Sequence, residues 1–158
     1  MTTRAGAGRG GAPGLRVAGD DTVVSPRGER VISSKGVQLW VVPLDGSAPA
    51  RQLFYSRGTS SSATWSPDGY RLAFVSDRGD HSFVGIYAED SIPVRWMGPS
   101  TSRDLSPTWS PDGKSLAFAR IAGEGGAPEP MLTQQPLQWS IWIADAATGS
   151  AHAVWESH

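Results

Sequence analysis

Cysteine is missing from this chain of 158 residues. Its absence excludes disulfide bonds, thiolate metal sites and a cysteine nucleophile. An excess of charge of either sign is missing too, because 14 basic residues stand against 15 acidic ones and the formal net charge is -1. Without a block of like charge, the sequence does not favour binding to nucleic acid or to an acidic membrane surface. No apolar stretch approaches the roughly 20 residues of a transmembrane helix, so no membrane segment is predicted.

The first 21 residues are rich in glycine, alanine and arginine and lack the apolar run of a signal peptide. We predict that residues 1–21 form a flexible tail and that residues 22–158 form the folded part. The compartment stays open between periplasm and cytoplasm, because no targeting segment is recognised.

Glycine, proline and tryptophan are abundant, with 19, 12 and 7 residues respectively. This mixture of turn formers and large apolar side chains favours an all-β fold. An internal repeat supports it, because segment 64–74 (TWSPDGYRLAF) recurs 44 positions later as segment 108–118 (TWSPDGKSLAF). A weaker copy lies 41 positions upstream, with Val24 at the position of Trp65.

The centre of the repeat has the composition of a type I turn, with serine first, proline second, aspartate third and glycine fourth. We predict that these residues are structural and join two antiparallel strands into a hairpin. They are Ser66, Pro67, Asp68, Gly69, Ser110, Pro111, Asp112 and Gly113. Calcium ligation by the two aspartates is the alternative, and it is disfavoured because no further acidic residues follow at the spacing that calcium requires.

Each hairpin is followed by two more predicted strands. The third strands place an aliphatic residue before an aromatic one, at 37–42, 84–88 and 140–144, and the fourth strands lie at 51–54, 94–97 and 153–155. Four short strands per period of a little over 40 residues are typical of a β-propeller blade. The predicted fold is all-β, an incomplete or open propeller of three four-stranded antiparallel blades at about 22–57, 58–99 and 100–158.

The first repeat departs from the other two. It has Val24 in place of tryptophan, Arg27 in place of aspartate and Ser33 in place of phenylalanine. We therefore expect its second strand to be short or frayed.

The connector between the second and third strands varies in length. The spacing from the turn proline to the third-strand aromatic is 14, 20 and 31 residues in the three repeats. In an up-and-down blade this connector lies on the face opposite the turns, and we expect loop-borne function on this variable face. The longest connector, residues 123–138, is predicted to be an exposed loop.

The repeat resembles the TolB-like propeller repeat, and in particular the propeller of the prolyl oligopeptidase family of serine peptidases, in the dipeptidyl peptidase IV branch. The resemblance covers about residues 22–157 and includes segments 72–83 (LAFVSDRGDHSF) and 139–145 (WSIWIAD). Membership implies a propeller of seven or eight blades that gates access to a separate α/β-hydrolase domain carrying the catalytic triad. The chain departs from that pattern in having three blades, no G-x-S-x-G nucleophile elbow and no Glu-Glu pair.

Asp80, His81 and Ser82 include all three residue types of a catalytic triad. No catalytic residue is predicted there, because adjacent side chains on an extended chain point to alternate sides. His152 and His158 lack a carboxylate or a second histidine at ligand spacing, so neither a metal nor another cofactor is predicted.

The recurrence of tryptophan at equivalent strand positions favours packing between blades over a sugar or peptide site. This prediction covers Trp40, Trp65, Trp109 and Trp142. Charged residues on or next to the variable connectors are candidates for contact with a substrate or partner, with solvated loop charge as the simpler alternative. They are Arg78, Arg103 and Glu124.

The predicted function is that of a non-catalytic propeller portion of a prolyl oligopeptidase-family peptidase, which gates substrate or packs against another domain. Its predicted partners are the missing blades and an α/β-hydrolase domain, or a protein partner, with a peptide substrate in the full-length protein. The alternative is a TolB-like propeller module that acts as a protein–protein interaction scaffold, and a carbohydrate-binding propeller is the least favoured. An incomplete ring is expected to be marginally stable, to self-associate or to depend on a partner.

Overall fold

Twelve β-strands make up the part of the chain that the structure, a computed structural model, describes: residues 22–123 and 138–157. The strands of blade 1 are β1 (Thr22–Val24), β2 (Arg30–Lys35), β3 (Gln38–Pro43) and β4 (Arg51–Gln52). Those of blade 2 are β5 (Thr59–Trp65), β6 (Leu72–Asp77), β7 (Ser82–Tyr87) and β8 (Arg95–Trp96). Those of blade 3 are β9 (Arg103–Trp109), β10 (Ser115–Ile121), β11 (Trp139–Asp145) and β12 (Ala151–Glu156).

Within each blade, every strand pairs antiparallel with the next one along the chain. Blade 1 is a sheet of its own, whereas one parallel residue pair, Ser82 with Arg103, joins blades 2 and 3. The described strands do not close into a ring. The prediction of an all-β, incomplete propeller of four-stranded antiparallel blades is confirmed.

The hairpins form because the repeated turn closes through backbone hydrogen bonds. The N–H of Gly69 donates to the carbonyl of Ser66 at 2.8 Å, and Gly113 repeats this contact with Ser110 at 2.9 Å. Gly69 and Gly113 have φ values of +76° and +68°, which glycine adopts without steric cost. The degraded first repeat turns in the same way, with Gly28 at φ +68°.

The second strand of blade 1 is not short. β2 has six residues, as many as β6, and Val31, Ile32 and Ser33 are all buried in it. The expectation of a frayed strand is wrong, because the sheet ladder is made by backbone groups and continues through Ser33, which pairs with Trp40. A side chain smaller than phenylalanine therefore does not interrupt this strand.

The core lies between the blades, in two clusters. Cluster A joins blades 1 and 2 and consists of Ile32, Leu39, Val41, Leu53, Trp65, Leu72, Phe74 and Tyr87. Cluster B joins blades 2 and 3 and consists of Ala73, Val75, Val84, Ile86, Met97, Leu116, Phe118, Ala144 and Ala146. Because successive side chains on a strand point to opposite faces, blade 2 sends alternate residues into each cluster. We call the face that meets the preceding blade the leading face and the opposite one the trailing face.

Three of the four tryptophans that were predicted to pack between blades follow this division. Trp65 is buried in cluster A, and Trp109 and Trp142 pack against cluster B, as predicted. Trp40 belongs to neither cluster, since it points to the leading face of blade 1, where Lys35 lies 4.8 Å from the centre of its ring. No described blade lies on that face, so the packing of Trp40 between blades stays a prediction.

The third strands are also not aligned as their aromatic residues suggested. In blade 2, Leu72 pairs with Tyr87. The residues equivalent to Leu72 in blades 1 and 3 are Val31 and Leu116, and they pair with Val42 and Ala144. The position equivalent to Trp40 and Trp142 is therefore Gly85. A β-carbon at Gly85 would lie 2.9 Å from the Trp96 ring and 3.0 Å from the Phe74 ring. These two rings therefore fill the space that a side chain at position 85 would occupy.

Some predictions concern residues outside the described ranges. They are the flexible tail at 1–21, Glu124, His158 and most of the predicted loop 123–138. Within residues 22–123 and 138–157, no helix has the length and apolar character needed to cross a membrane.

Candidate functional site on the variable face

The repeated turns lie on the face opposite the variable connectors, and their aspartates make local contacts. Asp68 Oδ1 accepts hydrogen bonds from the Ser66 hydroxyl at 2.5 Å and from the Tyr70 N–H at 3.0 Å. Asp112 has the corresponding contacts in blade 3. The serine hydroxyl in each turn is the main reason that the pKa of each aspartate lies below its usual value.

These contacts occupy the Oδ1 atom of each turn aspartate within its own turn. In the described part of the chain, no three His, Cys, Asp or Glu side chains are grouped so that they could hold a metal ion. That the eight turn residues have a structural role stays a prediction.

The segment Asp80–Ser82 lies on the variable face of blade 2, where the β6–β7 connector enters β7. The Nδ1 atom of His81 lies 2.6 Å from Oδ1 of Asp80, which is half the arrangement of a catalytic triad. Ser82 does not complete it, because its hydroxyl donates to the backbone carbonyl of Asp104 at 2.8 Å and the residue is 2 % exposed. The side chain of Ser82 therefore joins blade 2 to blade 3 instead of facing a substrate.

The two candidate arginines of this face also make contacts within the fold. Arg78 donates from Nε to the Ser76 hydroxyl at 3.2 Å, and its guanidinium lies 5.7 Å from the ring centre of Trp96. Arg103 donates to the carbonyl of Gly79 and lies 3.9 Å from an Asp77 oxygen. Arg103 thus fastens the β6–β7 connector to blade 3 while its side chain stays 42 % exposed.

A buried ion pair lies beneath this face and was not recognised in the sequence. Arg120 contacts both carboxylate oxygens of Asp104, from Nε at 2.7 Å and from an Nη atom at 2.9 Å. Asp104 is fully buried and the Arg120 side chain is 8 % exposed. Burial raises the pKa of Asp104, and the hydrogen bonds and charge of Arg120 act in the opposite direction.

Arg120 is also held from its other sides. Its guanidinium carbon lies 4.2 Å from the centre of the Trp142 ring, and an Nη atom donates to the carbonyl of Gly98 at 2.6 Å. The only signal in the sequence is a charged residue at an inward-facing position of an apolar strand. Its partner, Asp104, could not be identified without the pairing of β9 with β10.

A cleft of about 250 Å³ opens above this ion pair at the variable end of blade 3. It is lined by Ser102, Arg120, Ala122, Gln138, Trp139, Ser140, Trp142, Glu156 and Ser157. Ser140 and Trp142 are joined, since the indole N–H donates to the serine hydroxyl at 2.8 Å. Aromatic walls with hydroxyl, amide and carboxylate groups suit a short polar or peptide segment.

No family model matches the sequence, and no curated protein matches it. Solved structures do match. TolB from Acinetobacter baumannii is 21 % identical with a TM-score of 0.63, covering 91 % of this chain and 34 % of that one. A puromycin-hydrolyzing peptidase of Mycobacterium tuberculosis is 22 % identical with a TM-score of 0.62, covering 87 % of this chain and 23 % of that one.

The propeller domain of the Trilobed protease from Pyrococcus furiosus, which has an open velcro topology, is 16 % identical. Its TM-score is 0.57, and the match covers 85 % of this chain and 42 % of that one. The present chain spans less than half the length of each of these three structures. The likeness shows that its fold is that of the TolB-like propellers and of the propeller domains of peptidases.

Proposed function

We propose that this chain is the non-catalytic propeller portion of a serine peptidase of the prolyl oligopeptidase family. The observation that carries the proposal is the fold, which is like that of peptidase propeller domains such as that of the Trilobed protease. The non-catalytic part is supported by the hydroxyl of Ser82, which is buried and donates to the carbonyl of Asp104. A serine committed in this way cannot pass its proton to His81. Bond cleavage would then belong to another domain.

The proposed role of the propeller is to present the variable face to a peptide substrate or to an α/β-hydrolase domain. Three features support this role. The connectors of this face vary in length, the cleft above Arg120 opens there, and Arg103 exposes charge beside it. The proposed partners are further propeller blades and the hydrolase domain, which lie outside the present chain.

The test is hydrolysis of proline-containing dipeptide chromogenic substrates by the purified chain. We expect no turnover, and no difference between the chain and its Ser82→Ala variant. Turnover that a serine-directed inhibitor abolishes and that Ser82→Ala removes would overturn the proposal.

The second candidate is a TolB-like scaffold for protein–protein interaction. It is supported by the match to Acinetobacter baumannii TolB over 91 % of this chain. The coding DNA that flanks this segment distinguishes the two. Further blades followed by a G-x-S-x-G elbow support the peptidase, whereas an open reading frame without an elbow supports the scaffold.

A further inference from the structure

The buried arginine of blade 3 is neutralised by an acid of its own sheet. Arg120 on β10 pairs directly with Asp104 on β9 and lies 4.2 Å from the ring centre of Trp142. These side chains lie on the leading face, because Arg120 is two residues from Phe118, which belongs to cluster B. The guanidinium is thus held between an aromatic ring and a carboxylate, and both contacts favour the charged arginine.

Blade 2 has serines at the two positions that correspond to this ion pair. The two blades are related by a shift of 44 residues, so Ser60 corresponds to Asp104 and Ser76 corresponds to Arg120. The two serines pair directly across β5 and β6, and both are buried. Blade 2 therefore has a neutral pair where blade 3 has an ion pair.

A guanidinium nevertheless lies over this part of blade 2. It belongs to Arg78, two residues beyond Ser76, and its Nε atom donates to the Ser76 hydroxyl at 3.2 Å. The guanidinium carbon lies 5.7 Å from the ring centre of Trp96 and 5.9 Å from that of Phe83. These contacts hold the half-buried side chain of Arg78 in place on the variable face.

The ring beneath Arg78 takes the place of the ring beneath Arg120. Trp142 corresponds to Gly85 in blade 2, and the Trp96 ring fills the space of a side chain at Gly85. Arg78 and Arg120 are therefore set over aromatic rings at equivalent places in successive blades. What distinguishes Arg120 is its contact with a carboxylate of its own sheet.

The carboxylates next to Arg78 in the sequence have other partners. Asp77 lies 3.9 Å from a nitrogen of Arg103, and Asp80 lies 2.6 Å from Nδ1 of His81. In the part of the chain that the structure describes, no carboxylate forms an ion pair with Arg78. The side chain of Arg78 is thus a fixed positive charge without a counter-charge among those residues.

We propose that Arg78 binds a carboxylate of the peptide substrate, either an acidic side chain or a free carboxyl terminus. The carboxylate takes the place that Asp104 has on Arg120, where both oxygens are contacted, at 2.7 Å and 2.9 Å. Because Nε of Arg78 donates to Ser76, the two Nη atoms form the edge that a carboxylate approaches through parallel hydrogen bonds. The inference rests on the proposed function in one respect, which is that the ligand is a peptide.

Calorimetric titration of the purified full chain with matched peptides tests the site. The neutral peptide is acetyl-Ala-Pro-Gln-Ala-amide. One acidic peptide has glutamate in place of glutamine, and the other keeps glutamine but has a free carboxyl terminus. We expect at least one acidic peptide to bind roughly tenfold more tightly than the neutral peptide, because it adds a charge-assisted contact with Arg78. The peptide with the larger gain identifies the source of the carboxylate.

Substitution of Arg78 tests whether this residue carries the preference. Arg78→Gln should bind the acidic and neutral peptides with equal affinity. The control is Arg57→Gln, at an exposed arginine of the same face, which removes the same charge and should keep the preference. Thermal unfolding of each variant verifies that it is folded.

A second pair of variants supplies the missing acid from inside the chain. Ser60→Asp places a carboxylate at the position equivalent to Asp104, where it should neutralise Arg78 and remove the preference for acidic peptides. Ser60→Asn introduces a side chain of the same size without the charge. It should keep the preference.

Equal affinity of the parent chain for the acidic and neutral peptides would overturn the proposal. A preference that survives in Arg78→Gln, or that Arg57→Gln removes as completely, would overturn it as well. The hydrolysis assay is read separately. A preference for acidic peptides together with turnover contradicts only the non-catalytic assignment, whereas no preference and no turnover contradicts only the site at Arg78.

Discussion

Ser62 and Ser106 occupy the same position in two successive blades, 44 residues apart, and both have a left-handed backbone, with φ values of 51° and 52°. Each lies in a β-bulge of the first strand of its blade, opposite Phe74 and Phe118 respectively. The bulge and its left-handed serine thus recur with the WSPDG repeat in blades 2 and 3.

Replacing Ser106 by glycine should stabilise the protein by about 0.5 to 1 kcal/mol. The left-handed conformation costs a serine roughly 1–2 kcal/mol, and part of that gain is offset by the greater freedom of glycine in the unfolded chain. Urea unfolding measures the change. Ser34→Gly is the control, in a strand with no left-handed residue, and it should lower the free energy of unfolding by roughly 0.5–1 kcal/mol. Destabilisation by both variants would contradict the claim that the left-handed backbone of Ser106 is strained.

Breaking the buried ion pair should be costly. Asp104→Leu leaves the Arg120 guanidinium buried without its carboxylate, and we expect the free energy of unfolding to fall by about 3–5 kcal/mol. The double variant Asp104→Leu with Arg120→Met should recover part of this loss, because the unpaired charge is removed as well. Urea unfolding of Asp104→Leu, Arg120→Met and the double variant completes the cycle. A loss in the double variant equal to the sum of the two single losses would show that the two groups act independently.

Acid should destabilise the protein through the turn aspartates. Their folded-state pKa lies below the value of 3.8 that an unperturbed aspartate has, mainly because of the hydroxyls of Ser66 and Ser110. The unfolded chain therefore binds these protons first as the pH falls. The stabilisation is present above about pH 4 and is lost as the pH falls through the lower folded-state pKa.

The matched variant for this pH dependence is Asp68→Asn with Asp112→Asn. Its free energy of unfolding should decline less steeply from about pH 5 to pH 2 than that of the parent chain. Thermal or urea unfolding at a series of pH values provides the slopes. If the free energy of unfolding falls equally steeply with pH in the two chains, these carboxylates do not contribute to the acid destabilisation.

The blades could be predicted from sequence because their signals are local. Ser66 to Gly69 define a turn within four residues, and alternating apolar residues on either side define the strands. The side-chain partners across the sheet were harder to predict from the sequence. The Asp104–Arg120 pair depends on a register that a bulge shifts, and Tyr87 misled the alignment because its aromatic ring lies two residues away from the position of Gly85. The contacts of Arg71 with Trp109 and Gly113 could not be predicted either, because they depend on how two whole blades are oriented.

The contact between Arg71 of blade 2 and Trp109 of blade 3 should contribute measurably to stability. Its guanidinium lies 4.9 Å from the indole centre and donates to the Gly113 carbonyl at 2.8 Å, and the Arg71 side chain is 29 % exposed. Arg71→Ala should lower the free energy of unfolding by about 1–2 kcal/mol, since both contacts are lost. Arg71→Lys should lose less stability, because lysine keeps the positive charge but lacks the planar guanidinium.

The matched control is Arg27→Ala, which removes a guanidinium 4.3 Å from the exposed ring of Tyr70 and should cost less than about 1 kcal/mol. A loss at Arg71 no larger than that at Arg27 would mean that clusters A and B hold the blades together without a contribution from this contact.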